Sequence, residues 1–157
     1  MNNKKSVDVL NNLIASHKDR VIAYQNAKKG FNENDLVQLF NEFEKTSNLF
    51  NEDLIFELSK INGAPKENAR NYTFIDKIWG NLKMNILIKD KEEILNRLEY
   101  SEFEILKVYK NSLTNNTDFI PKKLNQILQQ QQILLTNQHD KIKDLGDSMI
   151  AKSSMSF

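Results

Sequence analysis

Residues 62–90 read NGAPKENARNYTFIDKIWGNLKMNILIKD, and the fold turns on this stretch. Asn62-Gly63-Ala64-Pro65 stops the preceding helix, because glycine accepts the left-handed C-terminal cap and proline cannot continue a helix. Lys89-Asp90 starts another: the Asp90 oxygen can take the amide of the third helical residue while Glu93 reaches back, forming a capping box. The 28 residues from Asn62 to Lys89 are far more than a hairpin turn needs. A connector this long can travel the length of a bundle, which makes the helices on either side of it parallel. Inside it, Ile75, Ile78, Trp79, Leu82 and Ile86 recur at helical spacing, with Phe74, Leu87 and Ile88 on other sides. That pattern predicts a short extra helix over residues 72–88, apolar on more than one face and so buried on several sides or set at an interface. A rival reading fuses residues 72–113 into one long helix; the cap at Asp90 argues against it.

Outward from the connector, four long amphipathic patterns appear. The first spans Ser6 to Lys28 along Leu10, Ile14, His17, Val21 and Tyr24, with Ser6 as cap and Gly30 as stop. The second spans Asp35 to Ile61 along Leu36, Phe40, Phe43, Ser47, Phe50, Leu54 and Leu58. The third runs from Asp90 to Leu113 along Ile94, Leu98, Glu102, Ile105 and Tyr109. The fourth follows Pro121 along Leu124, Leu128, Gln131, Leu135, either Gln138 or His139, Ile142, Leu145 and Met149. Short loops join the first pair and the second pair, so each is an antiparallel hairpin. Two hairpins joined by one long crossover define an all-α, ferritin-like four-helix bundle. Its expected limits are residues 6–150, with the crossover at 62–89, a disordered N-terminus at 1–5 and a flexible tail at 151–157.

Composition agrees. The 157 residues carry 22 Lys+Arg against 21 Asp+Glu, include only 4 Gly and 2 Pro, and are 39% apolar. A single domain of this size buries a core without staples, and so few chain-breakers disfavour a β-sandwich. With no Cys there is no thiol nucleophile, Cys-based zinc site or disulfide framework. The scattered glycines assemble neither a dinucleotide fingerprint nor a P-loop. Near-neutral charge without basic blocks disfavours nucleic acid as a partner. No apolar run reaches the roughly 18 residues of a membrane span, and the polar start shows no signal peptide; the expectation is a cytoplasmic protein with no membrane partner.

The interior stripes are interrupted by His17, Ser47, Glu102, Gln131 and Gln138 or His139. Glu102 is the most informative, since a buried carboxylate is costly unless paired or coordinated. Its plain reading is a core Glu hydrogen-bonded to neighbouring polar side chains, or a stripe rotated so that it reaches water. As a mere structural leftover, Glu102→Leu would leave stability unchanged or higher, whereas a large fall would mean that it anchors a needed network or ion. The sharper reading is a carboxylate-bridged metal pair, which takes a Glu from each of two helices and a Glu-x-x-His from each of the other two. The two histidines fail that test: three residues before His17 stands Ile14, and three before His139 stands Thr136. What remains is a weak, carboxylate-dominated set for iron or manganese: Glu99, Glu102, His139 and Asp53. His17 reads as a satisfied core histidine, and Tyr24 and Tyr109 as packed aromatics needing one hydroxyl partner each. No nucleophile–base–orienter triad can be assembled.

Val9-Leu10-Asn11-Asn12-Leu13-Ile14, Asp19-Arg20 with Tyr24, Leu39-Phe40 with Ser47 and Phe50, and the Asn62–Pro65 turn form an ordered series. Trp79, Lys89-Asp90, Leu95, Glu99, Glu102, Tyr109, Leu113, Pro121, Leu128, Gln131 and His139-Asp140-Lys141-Ile142 with Leu145 continue it. In that order and spacing the chain resembles, over about residues 6–150, the small bacterial proteins grouped as domain of unknown function 2383, described as ferritin-like bundles. The resemblance implies a fold and carries no established activity. Where the family pattern often has Glu, this chain has Gln25 and Asp53, which weakens a metal site on the first two helices; Glu99, Glu102 and His139 match. The expectation is a non-enzymatic, stress-associated bundle with a degenerate metal centre and no bound cofactor. The alternatives are an iron- or manganese-binding protein and an interaction module that forms a homodimer through residues 72–88.

Overall fold

The computed structural model describes residues 3–61, 63, 91–115 and 120–155. Among them are four α-helices and no strand: α1 (Asn3–Lys28), α2 (Asn34–Lys60), α3 (Lys91–Asn115) and α4 (Lys122–Met155). The expected all-α bundle is what forms. Its ends differ from expectation in two places. Helix α1 begins at Asn3, so residues 3–5 are helical and Ser6, read as a cap, is a buried interior position. Helix α4 continues to Met155, through most of the expected tail. Between Gly146 and Met155 the sequence holds no proline, and one glycine costs a helix only about 1 kcal/mol.

The two glycines at helix ends serve close approach. A Cβ at Gly63 would lie 2.4 Å from Leu58 Cδ1 and 3.1 Å from Val7 Cγ2, and its backbone is not in the left-handed region expected for a cap. A Cβ at Gly30 would lie 2.4 Å from Ile94 Cδ1, so the α1–α2 turn rests directly on the start of α3. Helix α2 opens at Glu33, whose carbonyl accepts the Val37 N–H at 3.0 Å without a side-chain cap.

Two apolar clusters fix the direction of every helix. One joins the start of α1 (Leu10, Leu13, Ile14) and of α4 (Leu124, Leu128) to the end of α2 (Leu54, Leu58) and of α3 (Ile105, Tyr109). The other joins the end of α1 (Ala23, Tyr24, Ala27) and Ile142 of α4 to the start of α2 (Phe40, Phe43) and of α3 (Ile94, Leu95, Leu98). Helices α2 and α3 therefore run parallel, opposite to α1 and α4. The 27 residues of α2 extend about 40 Å at 1.5 Å per residue, and the chain must regain that length before α3. Parallel α2 and α3 are what a four-helix bundle with one long connection between its hairpins requires. Residues 64–90, with the expected short helix at 72–88, the Asp90 cap and the expected dimer contact, lie outside the described residues.

Helix α1 packs along both α2 and α3, and α3 packs along α4, whereas α2 and α4 meet only sparsely. Among the described residues the bundle is closed on three sides and looser on the fourth.

Candidate functional site

Between the two apolar clusters lies a polar layer to which all four helices contribute. Its centre is Arg20 of α1, 1% exposed. Its Nε donates to Glu102 Oε1 on α3 at 2.7 Å. Its Nη1 donates to Ser47 Oγ at 2.9 Å and to the Phe43 carbonyl at 3.1 Å, both on α2. Its Nη2 donates to Gln138 Oε1 on α4 at 2.6 Å. A planar guanidinium with five donors suits a position that must reach three neighbouring helices at once. The rings of Tyr24 and Phe43 lie 5.2 and 5.4 Å from its central carbon, adding cation–π attraction.

Helical spacing brings Arg20 inward. His17, Arg20 and Tyr24 follow one another at steps of three and four, so they share a face of α1. Tyr24 donates its hydroxyl to the same Glu102 oxygen that takes Arg20 Nε. Burial works against the charge on Arg20, but the Glu102 carboxylate outweighs it and holds the guanidinium above its ordinary value. The same burial, reinforced by the Glu102 charge, pushes the Tyr24 hydroxyl well above its ordinary value, so it stays a neutral donor. Gln138 extends the layer by donating Nε2 to Thr46 Oγ1 on α2 at 2.9 Å.

A second arm runs from Ser47 toward α4. Ser47 Oγ, which accepts from Arg20, lies 3.0 Å from His17 Nδ1. His17 Nε2 lies 2.6 Å from the Tyr109 oxygen, and the Tyr109 hydroxyl donates to Gln131 Oε1 at 2.6 Å. With Tyr109 donating to Gln131, its oxygen accepts from His17 Nε2–H, and Nδ1 accepts from the Ser47 hydroxyl. One neutral tautomer satisfies the whole chain. Burial, then the positive charge of Arg20, depress His17 well below 6.5. Burial likewise raises Tyr109 above its ordinary value.

The four residues expected to hold a metal are not brought together. Glu102 is wholly buried, but its Oε1 is taken by Arg20 and Tyr24. Glu99 is half-buried and Asp53 is exposed on α2. Of the Gln138/His139 pair, Gln138 points inward; His139 is half-buried, its Nδ1 3.5 Å from Asp140 Oδ1. Among the described residues no group of three or more His, Asp or Glu side chains is placed to hold a metal ion. The residues here do not fit a metal pair, because a guanidinium stands where the cation would bind and repels another positive charge. Sequence reasoning named His17, Ser47, Glu102, Tyr109 and Gln131 but passed over Arg20, taking Val21 for the stripe. The missed signal was the buried Glu102 itself, which called for a cation.

The family model for a domain of unknown function, DUF2383, matches residues 5–115. The chain belongs to the DUF2383 family. The match takes in α1, α2 and α3, and with them Arg20, Glu102, His17 and Tyr109; helix α4 lies beyond it. No curated protein matches the chain.

Two outcomes follow for this DUF2383 chain. Removing one partner of a buried ion pair leaves the other charge stranded, at about 3–5 kcal/mol. In urea unfolding, Glu102→Leu and Arg20→Met should each lose about that much, and the double variant should lose less than either. Of the two outcomes the sequence left open for Glu102→Leu, this is the one of an anchored network; a neutral Glu102→Leu would mean that Arg20 does not depend on it. For His17, the folded value is depressed below the unfolded 6.5, so the unfolded chain binds more protons in acid. Its contribution to stability is complete above pH 6.5 and declines as pH falls, by up to about 1.4 kcal/mol per unit, until the folded value is reached. The groups facing it are Arg20 on its own helix, Ser47 and Phe50 on α2 and Tyr109 on α3. Measured at pH 7.5, 6.5 and 5.5, stability should fall more steeply in the wild type than in His17→Gln; equal slopes would refute a neutral buried His17.

Proposed function

We propose that the chain is a non-enzymatic ferritin-like bundle whose degenerate centre is a fixed ionic pin in place of a metal. The observation that carries this reading is the Arg20 guanidinium, joined to side chains or backbone of all three other helices and paired with the one carboxylate a metal would need. A reactive centre needs a group that can change charge or coordination near a place where substrate can sit. Here Tyr24 and Tyr109 are held protonated, His17 is held neutral, and Glu102 is committed to two donors. The centre is thus suited to holding register, and the biochemical work falls to the surface.

Elemental analysis of protein purified without added metal tests this. Iron, manganese and zinc are each expected far below one per chain, before and after incubation with the ferrous or manganous ion. Two ions per chain, lost in Glu102→Gln, would replace this reading with that of an iron- or manganese-binding protein.

A second reading, self-association through residues 72–88, is favoured by their apolar pattern with Trp79, Ile75 and Leu82 in one run. Light scattering over a range of concentrations should then give twice the 18.3 kDa chain mass, returning to one chain in Trp79→Ser. A single-chain mass at every concentration would remove the motive for a dimer.

A further inference from the structure

The loose side of the bundle holds a groove of about 380 Å³ between α2 and α4. Phe50 and Phe56 on α2 and Ile127 and Leu134 on α4 make its apolar walls. Phe56 is 61% exposed and Leu134 50%, so these side chains stand at the seam instead of sealing it. Two polar groups converge there. Gln131, only 3% exposed, lines the groove; its Oε1 is held by Tyr109, while its Nε2 is buried without a hydrogen-bond partner. Asp53 lines the groove from α2, exposed and in no ion pair among the described residues. Glu57 beside it is paired with Lys60 at 3.2 Å, so Asp53, Glu57 and Lys60 together leave one negative charge. The Lys60 ammonium rests 4.5 Å from the centre of the Phe56 ring, which shows that this aromatic face accepts a cation.

Ligand sites are mostly apolar concavities of roughly 300–1,000 Å³ with a few convergent polar groups. This groove falls at the small end of that range. A buried amide N–H₂ without a partner carries an unrecovered desolvation cost, which an acceptor on a ligand relieves. We propose that the α2–α4 groove binds a small organic cation that joins a single apolar ring to a carbonyl acceptor. The ring lies between Phe56 and Leu134, the carbonyl accepts from Gln131 Nε2, and the ammonium faces Asp53. This rests on the seam and on Gln131, and it stands whether or not the centre proves free of metal.

The probe is 4-(aminomethyl)benzamide, titrated into ¹⁵N-labelled full-length protein and followed by NMR. Saturable shifts are expected at the Gln131 side-chain amide and at residues 50–57 and 127–134. Benzylamine, which lacks the carbonyl, should bind about fivefold more weakly, the worth of one hydrogen bond. Asp53→Asn should weaken the probe by up to about fivefold, as for an exposed ion pair. Leu134→Lys, a surface change that leaves the core intact, should abolish saturation. No saturable shift, equal binding of benzylamine, or unchanged binding in Leu134→Lys would each overturn the proposal. If Leu134→Lys instead converts a dimer to a monomer without touching probe binding, the groove belongs to a second copy and the proposal fails.

Discussion

The charge on Arg20 has been carried about as far from water as this bundle allows, and the positions of the other helices follow from that. An isolated guanidinium in an apolar interior is very costly, so its donors need acceptors at the same height. Glu102 on α3, Ser47 and the Phe43 carbonyl on α2, and Gln138 on α4 supply them. The apolar clusters above and below hold the helices together, but leucine packing tolerates a sliding partner more readily than a set of bonds of 2.6–3.1 Å does. The hydrophobic layers supply most of the stability, and the polar layer specifies one register. That division matches the use of buried ionic groups as registry devices better than their use as sources of stability.

The same charge governs what the centre cannot do. Two glutamates and two Glu-x-x-His pairs make a metal pair because four helices aim anions and neutral imidazoles at one point. Here one helix aims a permanent cation at that point. The Glu102 carboxylate is neutralised in place, and the imidazole on α1 is kept uncharged by burial and by Arg20 one turn away. The positive charge at the middle of this bundle is thus supplied by a side chain.

Much of this was legible in the sequence. The four stripes, the scarcity of Gly and Pro, and the long stretch between α2 and α3 together implied parallel α2 and α3, and the two apolar clusters confirm that direction. The polar interruptions at His17, Ser47, Glu102 and Gln131 all proved to be interior. What escaped was the pairing, for physical reasons. Arg20 and Glu102 are 82 residues apart, and no local pattern ties them. On α1, a turn of one residue exchanges Val21 for Arg20, and on α4 the same turn exchanges Gln138 for His139. A stripe of 3.6-residue period cannot resolve that ambiguity; only the height of a partner on another helix does. Asp53 was chosen for its chemistry as a ligand, yet helical phase puts it one residue before the buried Leu54, on the seam.

The looser side of the bundle lies between α2 and α4, which meet only sparsely among the described residues. Among the described residues their direct side-chain hydrogen bond is that of Gln138 with Thr46. Toward the α4 start that link is absent, and the gap is lined by Phe50, Phe56 and Leu134 without closing. The hydrogen-bond chain that begins at Arg20 ends there, at Gln131, with the amide oxygen satisfied and the nitrogen not. The nitrogen left over belongs to a residue that lines the α2–α4 groove, where a ligand's acceptor can meet it.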